Sequence, residues 1–289
     1  MKAILPTAIF ALIATASLHS QELVLKDGRR IPFATFSVSG ATLRVPTDLA
    51  EGGKMEVGYP LSSIATIDAE EPAEIRSAKS LLGENKPAEA RAMLRPVLQL
   101  YGPVKDLPGQ WWAEAALVQA DALRISGDRS GAAQVYDEIT THFPVDTQPG
   151  ALAALRKLAL SDQLHGVKLS ESVTRVAEAL KDPDPHTKAE LKFLTARALS
   201  QQDRFREAAE GFLGIRVFYP GVKELQAAAT LEAARAFFQM DDLKWTAFYL
   251  QDLKSLYPAS PELAAAKDDF ARLERRQNRP ADTSSIQTK

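Results

Sequence analysis

The sequence contains no cysteine, few aromatic residues and no excess of charge of either sign. Its 289 residues include 35 Lys and Arg against 37 Asp and Glu, and aromatic residues make up 7%. The missing cysteine excludes a disulfide framework, thiolate catalysis, a cysteine-ligated metal and a lipidated N-terminal cysteine. The net charge of -2 gives no global field that would attract nucleic acid. What is present is ordinary globular composition, 45% hydrophobic and 25% charged.

Residues with catalytic chemistry are also sparse. The chain has no GxSxG, P-loop, GxGxxG or HExxH motif. Its four histidines, His19, His142, His165 and His186, form no i, i+4 pair. Acidic doublets such as Asp241-Asp242 point in different directions on a helix, so they are interpreted as caps and solvated surface. The sequence therefore predicts no catalytic residue, no cofactor and no metal site.

The first twenty residues have the three-part layout of a secretory signal peptide. Lys2 is followed by a short apolar stretch and then by small residues. Cleavage is expected after Ala16 or after Ser20, and both positions stay open. A membrane anchor is the alternative, but the apolar stretch contains Pro6 and is shorter than the roughly 20 residues of a spanning helix. We predict a periplasmic or secreted mature protein without a transmembrane segment.

Residues 21–70 predict a small β module. Asp27-Gly28 separates "ELVLK" from "RIPFATFSV" and indicates a hairpin turn, because glycine accepts positive φ. "TLRVP" and "KMEVGYP" alternate as half-buried strands do, with "TDLAEGGK" as a loop, and "LSSIATID" indicates a turn and a last strand. We expect four or five strands in a small barrel. Through "LKDGR" and "SSIATID" the segment resembles the SH3-like or Sm-like barrels of bacterial envelope proteins, which implies a binding module. A structural cap is the alternative.

The apolar periodicity of residues 71–278 predicts amphipathic helices with an internal repeat. In the stretch around Gly127, Ala120 lies seven residues before this glycine, and Ala132, Tyr136 and Pro144 lie five, nine and seventeen after it. The same spacing recurs before Pro220 and Pro258, which are 38 residues apart, and more loosely before Pro103. The resulting first-helix alanines are Ala78, Ala120, Ala196 and Ala234. The 76-residue gap between the second and third of them is two periods, so one degenerate unit fills it.

This spacing of small, aromatic and proline residues resembles the tetratricopeptide repeat family. The resemblance implies a mostly α fold, a right-handed solenoid of about five helix pairs with a terminal capping helix. In that register Ala208 is buried at a helix crossing, whereas Ala266 lies on a terminal helix with an exposed face. The last segment, residues 279–289, has the composition of a disordered tail.

The family resemblance also implies a function. Envelope proteins with these repeats, such as the Tol-Pal-associated coordinator and the outer-membrane assembly lipoprotein, hold protein segments. We therefore expect a non-enzymatic scaffold that binds a peptide or protein partner in its concave face during cell-envelope assembly or maintenance. The alternative is an envelope enzyme, or a polysaccharide- or peptidoglycan-binding component, that uses the solenoid as its substrate-binding domain. The oligomeric state stays open.

In that family the residue after each first-helix crossing position faces the concave groove. Here these residues, with those one turn away, are Lys79, Asp121, Arg124, Arg156, Leu160, Arg197 and Arg235. Five of the seven are basic, so the groove is expected to bind an acidic or C-terminal peptide segment, chiefly through Arg197 and Arg235. The alternative is a solvated face balanced by Glu114 and Glu190.

Adjacent tryptophans open one of the predicted helices. Trp111 and Trp112 follow Pro108. The favoured interpretation is that one ring packs between repeat units, because stacked helix pairs need large residues between their layers. An exposed aromatic platform for a glycan or peptide is the alternative.

Overall fold

The computed structural model describes residues 21–48, 53–161 and 163–278. The chain divides into two compact units. The β unit comprises the described residues up to Glu70 together with Leu107–Gly109, and the α unit comprises the described residues of Glu71–Asp106 and Gln110–Lys289. The predicted signal peptide and the predicted tail lie outside the described residues.

The β unit contains two antiparallel three-stranded sheets. The strands are β1 (Gln21–Leu25), β2 (Arg30–Phe33), β3 (Ser37–Ser39), β4 (Thr42–Asp48), β5 (Lys54–Pro60) and β6 (Ile64–Asp68). One sheet has the order β2-β1-β6 and the other the order β3-β4-β5. The predicted hairpin is confirmed, since β1 pairs with β2 and the N–H of Gly28, at a φ of 87°, donates to the carbonyl of Leu25 at 2.9 Å.

The sheets do not close into a barrel, so the expectation of a small barrel is wrong. Closure requires hydrogen-bonded pairing to continue all the way around the sheet. Instead "RIPFATFSV" is broken between β2 and β3, and the chain leaves one sheet there and enters the other. Phe36, buried in the break, sets its ring edge-on to Phe33 with centroids 5.6 Å apart. Apolar burial therefore interrupts the strand where the alternating pattern suggested continuity.

A tripeptide from between two helices of the α unit completes the β unit. The N–H of Ile67 donates to the carbonyl of Pro108 at 2.9 Å, and the hydroxyl of Thr66 donates to the same oxygen at 3.0 Å. Gly109 follows with a φ of 78°, and a Cβ there would collide with the carbonyl of Ile67. Only glycine combines this backbone conformation with so close an approach.

The α unit consists of twelve helices in its described residues. They are α1 (Ala73–Gly83), α2 (Pro87–Tyr101), α3 (Trp112–Ile125), α4 (Arg129–His142), α5 (Gln148–Leu160), α6 (Gly166–Ala179), α7 (Pro185–Ser200), α8 (Phe205–Phe218), α9 (Lys223–Gln239), α10 (Leu243–Leu256), α11 (Pro261–Ala265) and α12 (Lys267–Gln277). The first ten form five consecutive pairs. We call α1, α3, α5, α7 and α9 the first helices and their partners the second helices. No helix in the described ranges is long and apolar enough to cross a membrane.

Four of the five pairs share one turn between their helices. A left-handed residue, Asn85, Gly127, Asp203 or Asp241, stands seven positions after the first-helix alanine, with φ between 57° and 86°. Glycine, asparagine and aspartate adopt this conformation at least cost. The next residue donates its N–H back to the first helix in the same way each time, as Arg204 does to Leu199 at 3.0 Å. The repeat in the sequence is therefore a repeat of backbone conformation.

The small residues of the repeat lie where the helices of a pair approach each other. Ala78, Ala120, Ala196 and Ala234 are at most 1% exposed, and so are their second-helix counterparts Ala90, Ala132 and Ala208. The predicted burial of Ala208 is confirmed. The large residue four positions later, Tyr136 in α4 and Phe212 in α8, is fully buried. Small side chains permit the close approach, and the large one fills the remaining space.

Two details of the predicted register are wrong. In the third helix pair the predicted groove residue Leu160 implies a crossing at Ala159. The crossing lies one turn earlier, because Ala151 and Leu155 are fully buried and Ala159 is not. The predicted terminal helix is broken into α11 and α12 at Ala266, which is fully buried rather than exposed. The break turns Ala266 into the apolar cluster that includes Leu250 and Leu253.

Candidate functional site

Polar contacts spaced about one repeat apart join consecutive first helices, and the last of them joins α9 to α12. Lys79 on α1 binds Glu114 on α3 at 2.7 Å, His186 on α7 binds Glu224 on α9 at 2.8 Å, and Arg235 on α9 binds Asp269 on α12 at 2.9 Å. The first helices also carry the predicted groove residues. We call the surface formed by these contacts and the groove residues the first-helix face.

Arg156 forms the buried centre of this face. Its side chain is 8% exposed, and its guanidinium binds Asp121 on α3 and Glu190 on α7, the latter at 2.9 Å. Glu224 lies 3.7 Å away on α9, and the hydroxyl of Tyr136 donates to Asp121 at 3.0 Å. A single arginine therefore links the first helices of four successive pairs.

Burial and the neighbouring charges shift the pKa values of Arg156 and Glu190. Burial lowers the pKa of Arg156, but Asp121 and Glu190 more than offset it, so the pKa stays well above its ordinary value. Burial raises the pKa of Glu190, against the opposing charge of Arg156. No buried side-chain nitrogen or oxygen in the described residues lacks a hydrogen-bond partner. The cluster is therefore a satisfied ion network.

The predicted basic groove residues are mostly held by acids. Lys79 binds Glu71 at 2.9 Å as well as Glu114, and Arg235 binds Glu232 at 2.7 Å as well as Asp269. Glu114, which binds Lys79, and Glu190, which binds Arg156, are the two carboxylates expected to balance this face. An acidic ligand would have to compete with them.

Three further predicted groove residues, Arg124, Leu160 and Arg197, lie in other surroundings. Arg124 is 41% exposed and lies 3.7 Å from Asp121. Leu160 is the last residue of α5 and does not follow a crossing position. Arg197 donates to the carbonyl of Ala159 at 2.9 Å and has no carboxylate partner among the described residues. Arg197 is therefore the predicted groove cation with the most freedom to bind an external anion.

The first-helix face continues into a cleft at its C-terminal end. The cleft measures about 460 Å³ and is lined by residues of α7 to α12, with walls that include Phe205 of α8, Arg235 and Phe238 of α9 and Asp268 of α12. Further along the face, burial raises the pKa of Glu262 on α11, and the charge of Arg124 on α3 opposes this rise.

Trp112 packs inside the α unit. It is 6% exposed, its ring is parallel to that of Phe143 with centroids 6.4 Å apart, and the ammonium of Lys105 lies 4.9 Å from its ring. These contacts are those of a packing residue. Trp111, beside it, is half-buried.

An exposed aromatic group on α10 did not enter the predictions. Trp245 is 41% and Phe248 50% exposed, and both rings contact Tyr249. Tyr249 stacks on Phe237 of α9 with centroids 5.5 Å apart. A signal was present in "WTAFY", because Trp245 and Phe248 fall outside the buried stripe of α10, which contains Thr246, Leu250 and Leu253.

Among the described residues no three His, Cys, Asp or Glu side chains are grouped so that they could hold a metal ion. His142 and His186 each contact one carboxylate at 2.8 Å, those of Asp106 and Glu224. No protein-family model matches the chain. No curated protein matches it either.

Proposed function

We propose that this protein is a non-enzymatic scaffold that binds a peptide or protein segment through its first-helix face. The observation that supports this most directly is the recurrence of one helix-pair geometry, with the same left-handed turn and the same buried alanines in four pairs. Such pairs are typical of tetratricopeptide repeats, which stack into right-handed solenoids with a concave binding face.

The cleft at the C-terminal end of the first-helix face supports this face as the binding surface. Its walls combine aromatic and charged side chains, Phe205 and Phe238 with Arg235 and Asp268. Arg197, free of carboxylates, is the residue through which an acidic or C-terminal segment would be held.

The proposed location is the cell envelope or the extracellular space. The support is the N-terminal segment, whose charged, apolar and small-residue regions follow the order of an export signal. A scaffold at this location would serve envelope assembly or maintenance.

A photo-crosslinking amino acid at position 197 tests the proposed face in source cells. We expect it to capture a defined protein partner, whereas the same probe at Arg206, exposed on second helix α8, captures none. In binding assays with that partner, Arg197→Glu is expected to weaken binding and leave the circular dichroism unchanged. Arg235→Glu is a poor test, because it would also release Asp269 and the terminal helix.

Equal capture from positions 197 and 206 would contradict the assignment of the face. Capture of glycan strands alone, with no protein partner, would contradict the scaffold and favour a polysaccharide-binding role.

A further inference from the structure

The last two second helices carry a concentration of exposed apolar side chains. Trp245, Phe248 and Leu256 on α10 are 41%, 50% and 57% exposed, and Val217 and Phe218 at the end of α8 are 68% and 72% exposed. These five residues, called the α10 patch, are half of the ten large apolar side chains exposed in the described chain. Such a concentration of exposed apolar side chains marks an interaction site.

The α10 patch is pre-organised. The guanidinium of Arg216 lies 5.4 Å from the ring of Tyr249 and binds Asp252 at 2.9 Å, which joins α8 to α10. Trp245 and Phe248 in turn contact each other and Tyr249 with centroid distances of 5.1–5.9 Å. Rings fixed in this way lose little side-chain entropy on binding, which is a property of interface hot spots.

The charges around the α10 patch indicate what covers it. Lys244, which is exposed, lies one turn before Phe248, and Asp252, which is half-buried beside Arg216 of α8, lies one turn after it. In a two-fold, antiparallel contact between two α10 helices centred on Phe248, each Phe248 meets its own copy and each Lys244 meets the other copy's Asp252. The surface is therefore complementary to itself, as an isologous interface requires.

We propose that two copies of this chain associate through the α10 patch, with their α10 helices antiparallel about Phe248. Asp252 accepts from Arg216 of its own chain and, as a carboxylate with two oxygens, also accepts from Lys244 of the second copy. The interface uses second helices only. It goes beyond the proposed scaffold function, and the first-helix face is left available to a partner.

The oligomeric state of the full chain tests this proposal. Analytical ultracentrifugation across a concentration series is expected to give a monomer–dimer equilibrium, and Phe248→Glu is expected to raise its dissociation constant at least tenfold, roughly the effect of losing a hot spot. The matched control is Val167→Glu on α6, since Val167 is 59% exposed and outside the α10 patch. It should leave the equilibrium unchanged.

A second measurement uses the absence of cysteine from the sequence. A single Phe248→Cys substitution places two thiols at the two-fold axis, so mild oxidation is expected to give a covalent dimer. A cysteine at position 167 should give none. A wild type that stays monomeric at its solubility limit, a dimer that Phe248→Glu does not weaken, or equal crosslinking at both positions would overturn the proposal.

Discussion

At the scale of single residues, Arg156 determines the character of the first-helix face. It is buried with Asp121 and Glu190 as its partners. A buried ion pair adds little net stability compared with apolar packing, but removal of one member leaves the others as uncompensated buried charges. Arg156 is therefore interpreted as a residue that holds successive first helices in register.

Replacement of Arg156 is expected to be costly. Arg156→Ala should lower the free energy of unfolding by about 3–5 kcal/mol, because it removes the cation from the buried Glu190 and the partly buried Asp121. Lys157→Ala is the control, since the exposed pair of Lys157 with Asp137 should contribute about 1 kcal/mol or less. Urea denaturation at neutral pH measures both. Similar losses for the two variants would refute the buried network.

The His186–Glu224 pair should give a pH-dependent contribution to stability. The hydrogen bond with Glu224 raises the pKa of His186 above its ordinary value of 6.5. Burial raises the pKa of Glu224, but the bond with His186 and the charge of Arg156 outweigh it and bring this pKa to about 2. The histidine therefore stabilises the fold fully below pH 6.5 and loses this effect as pH rises through its folded pKa. The glutamate stabilises fully above pH 4.5 and loses its effect as pH falls towards 2.

We expect His186→Ala to reduce stability most between pH 4.5 and 6.5, the window in which both contributions are complete. Both side chains are more than 40% exposed, so the effect should be about 0.2–1 kcal/mol. Urea midpoints measured across this range are the test, and Glu224→Gln supplies the control. If His186→Ala retains the same pH dependence in that background, the pair is not its cause.

At the scale of elements, two glycines in α8 lie against α7 in different ways. A Cβ on Gly211 would lie 2.7 Å from the Cβ of Ala196, a packed position with no room to move. A Cβ on Gly214 would meet only the flexible end of Lys192, which can swing away. A comparison of alanine substitutions at these two positions therefore distinguishes the gain from alanine's higher helix propensity from the cost of packing its extra methyl group.

Gly211→Ala is expected to destabilise the protein, since overpacking costs ~1–3 kcal/mol against a gain of about 1 kcal/mol in helix propensity. Gly214→Ala in the same helix should be neutral or stabilising by up to about 1 kcal/mol. Thermal unfolding of both variants measures the contrast. A stabilising Gly211→Ala would mean that α7 and α8 do not cross at Ala196.

The elements also indicate how far sequence reasoning reaches. The turn residues and crossing alanines could be located because their backbone conformation and small size are themselves what the fold requires. The third pair and Ala266 were misplaced because alanine is equally common on buried and half-exposed helix faces. The alternative interpretation of the sequence named Glu114 and Glu190 as balancing acids, but it could not say which cation each binds, since each pair joins side chains about 35 residues apart whose rotamers depend on tertiary packing.

At the scale of the whole molecule, the β unit is not one continuous segment of the chain. Residues 21–70 supply its strands, but Leu107–Gly109 supplies the acceptor for Ile67 and Thr66. The sequence predicted a division near residue 70 from the end of the strand pattern. It gave no sign of the tripeptide, because a hydrogen bond to a proline carbonyl leaves no periodic signal.

Gly109→Ala is expected to cost more than about 1 kcal/mol, because alanine at this positive φ is strained and its Cβ would collide with the carbonyl of Ile67. Native-state hydrogen exchange should record faster exchange at the amide of Ile67. Gly221→Ala, at a position with open space around it, is the control. An Ile67 amide that stays equally protected would show that the tripeptide does not hold β6.

The ion pairs of the first-helix face also have a direction along the chain. These contacts connect α1, α3, α5, α7, α9 and α12 in five successive steps. In four of the five, the cation lies on the earlier helix and the carboxylate on the later one. The step from α3 to α5 runs the other way, with Asp121 before Arg156. If the second helix pair (α3 and α4) and the third (α5 and α6) exchanged places, Asp121 on α3 would face Glu190 on α7 with no arginine between them. The charges on α3 and α5 therefore fix the order in which the second and third helix pairs can follow one another.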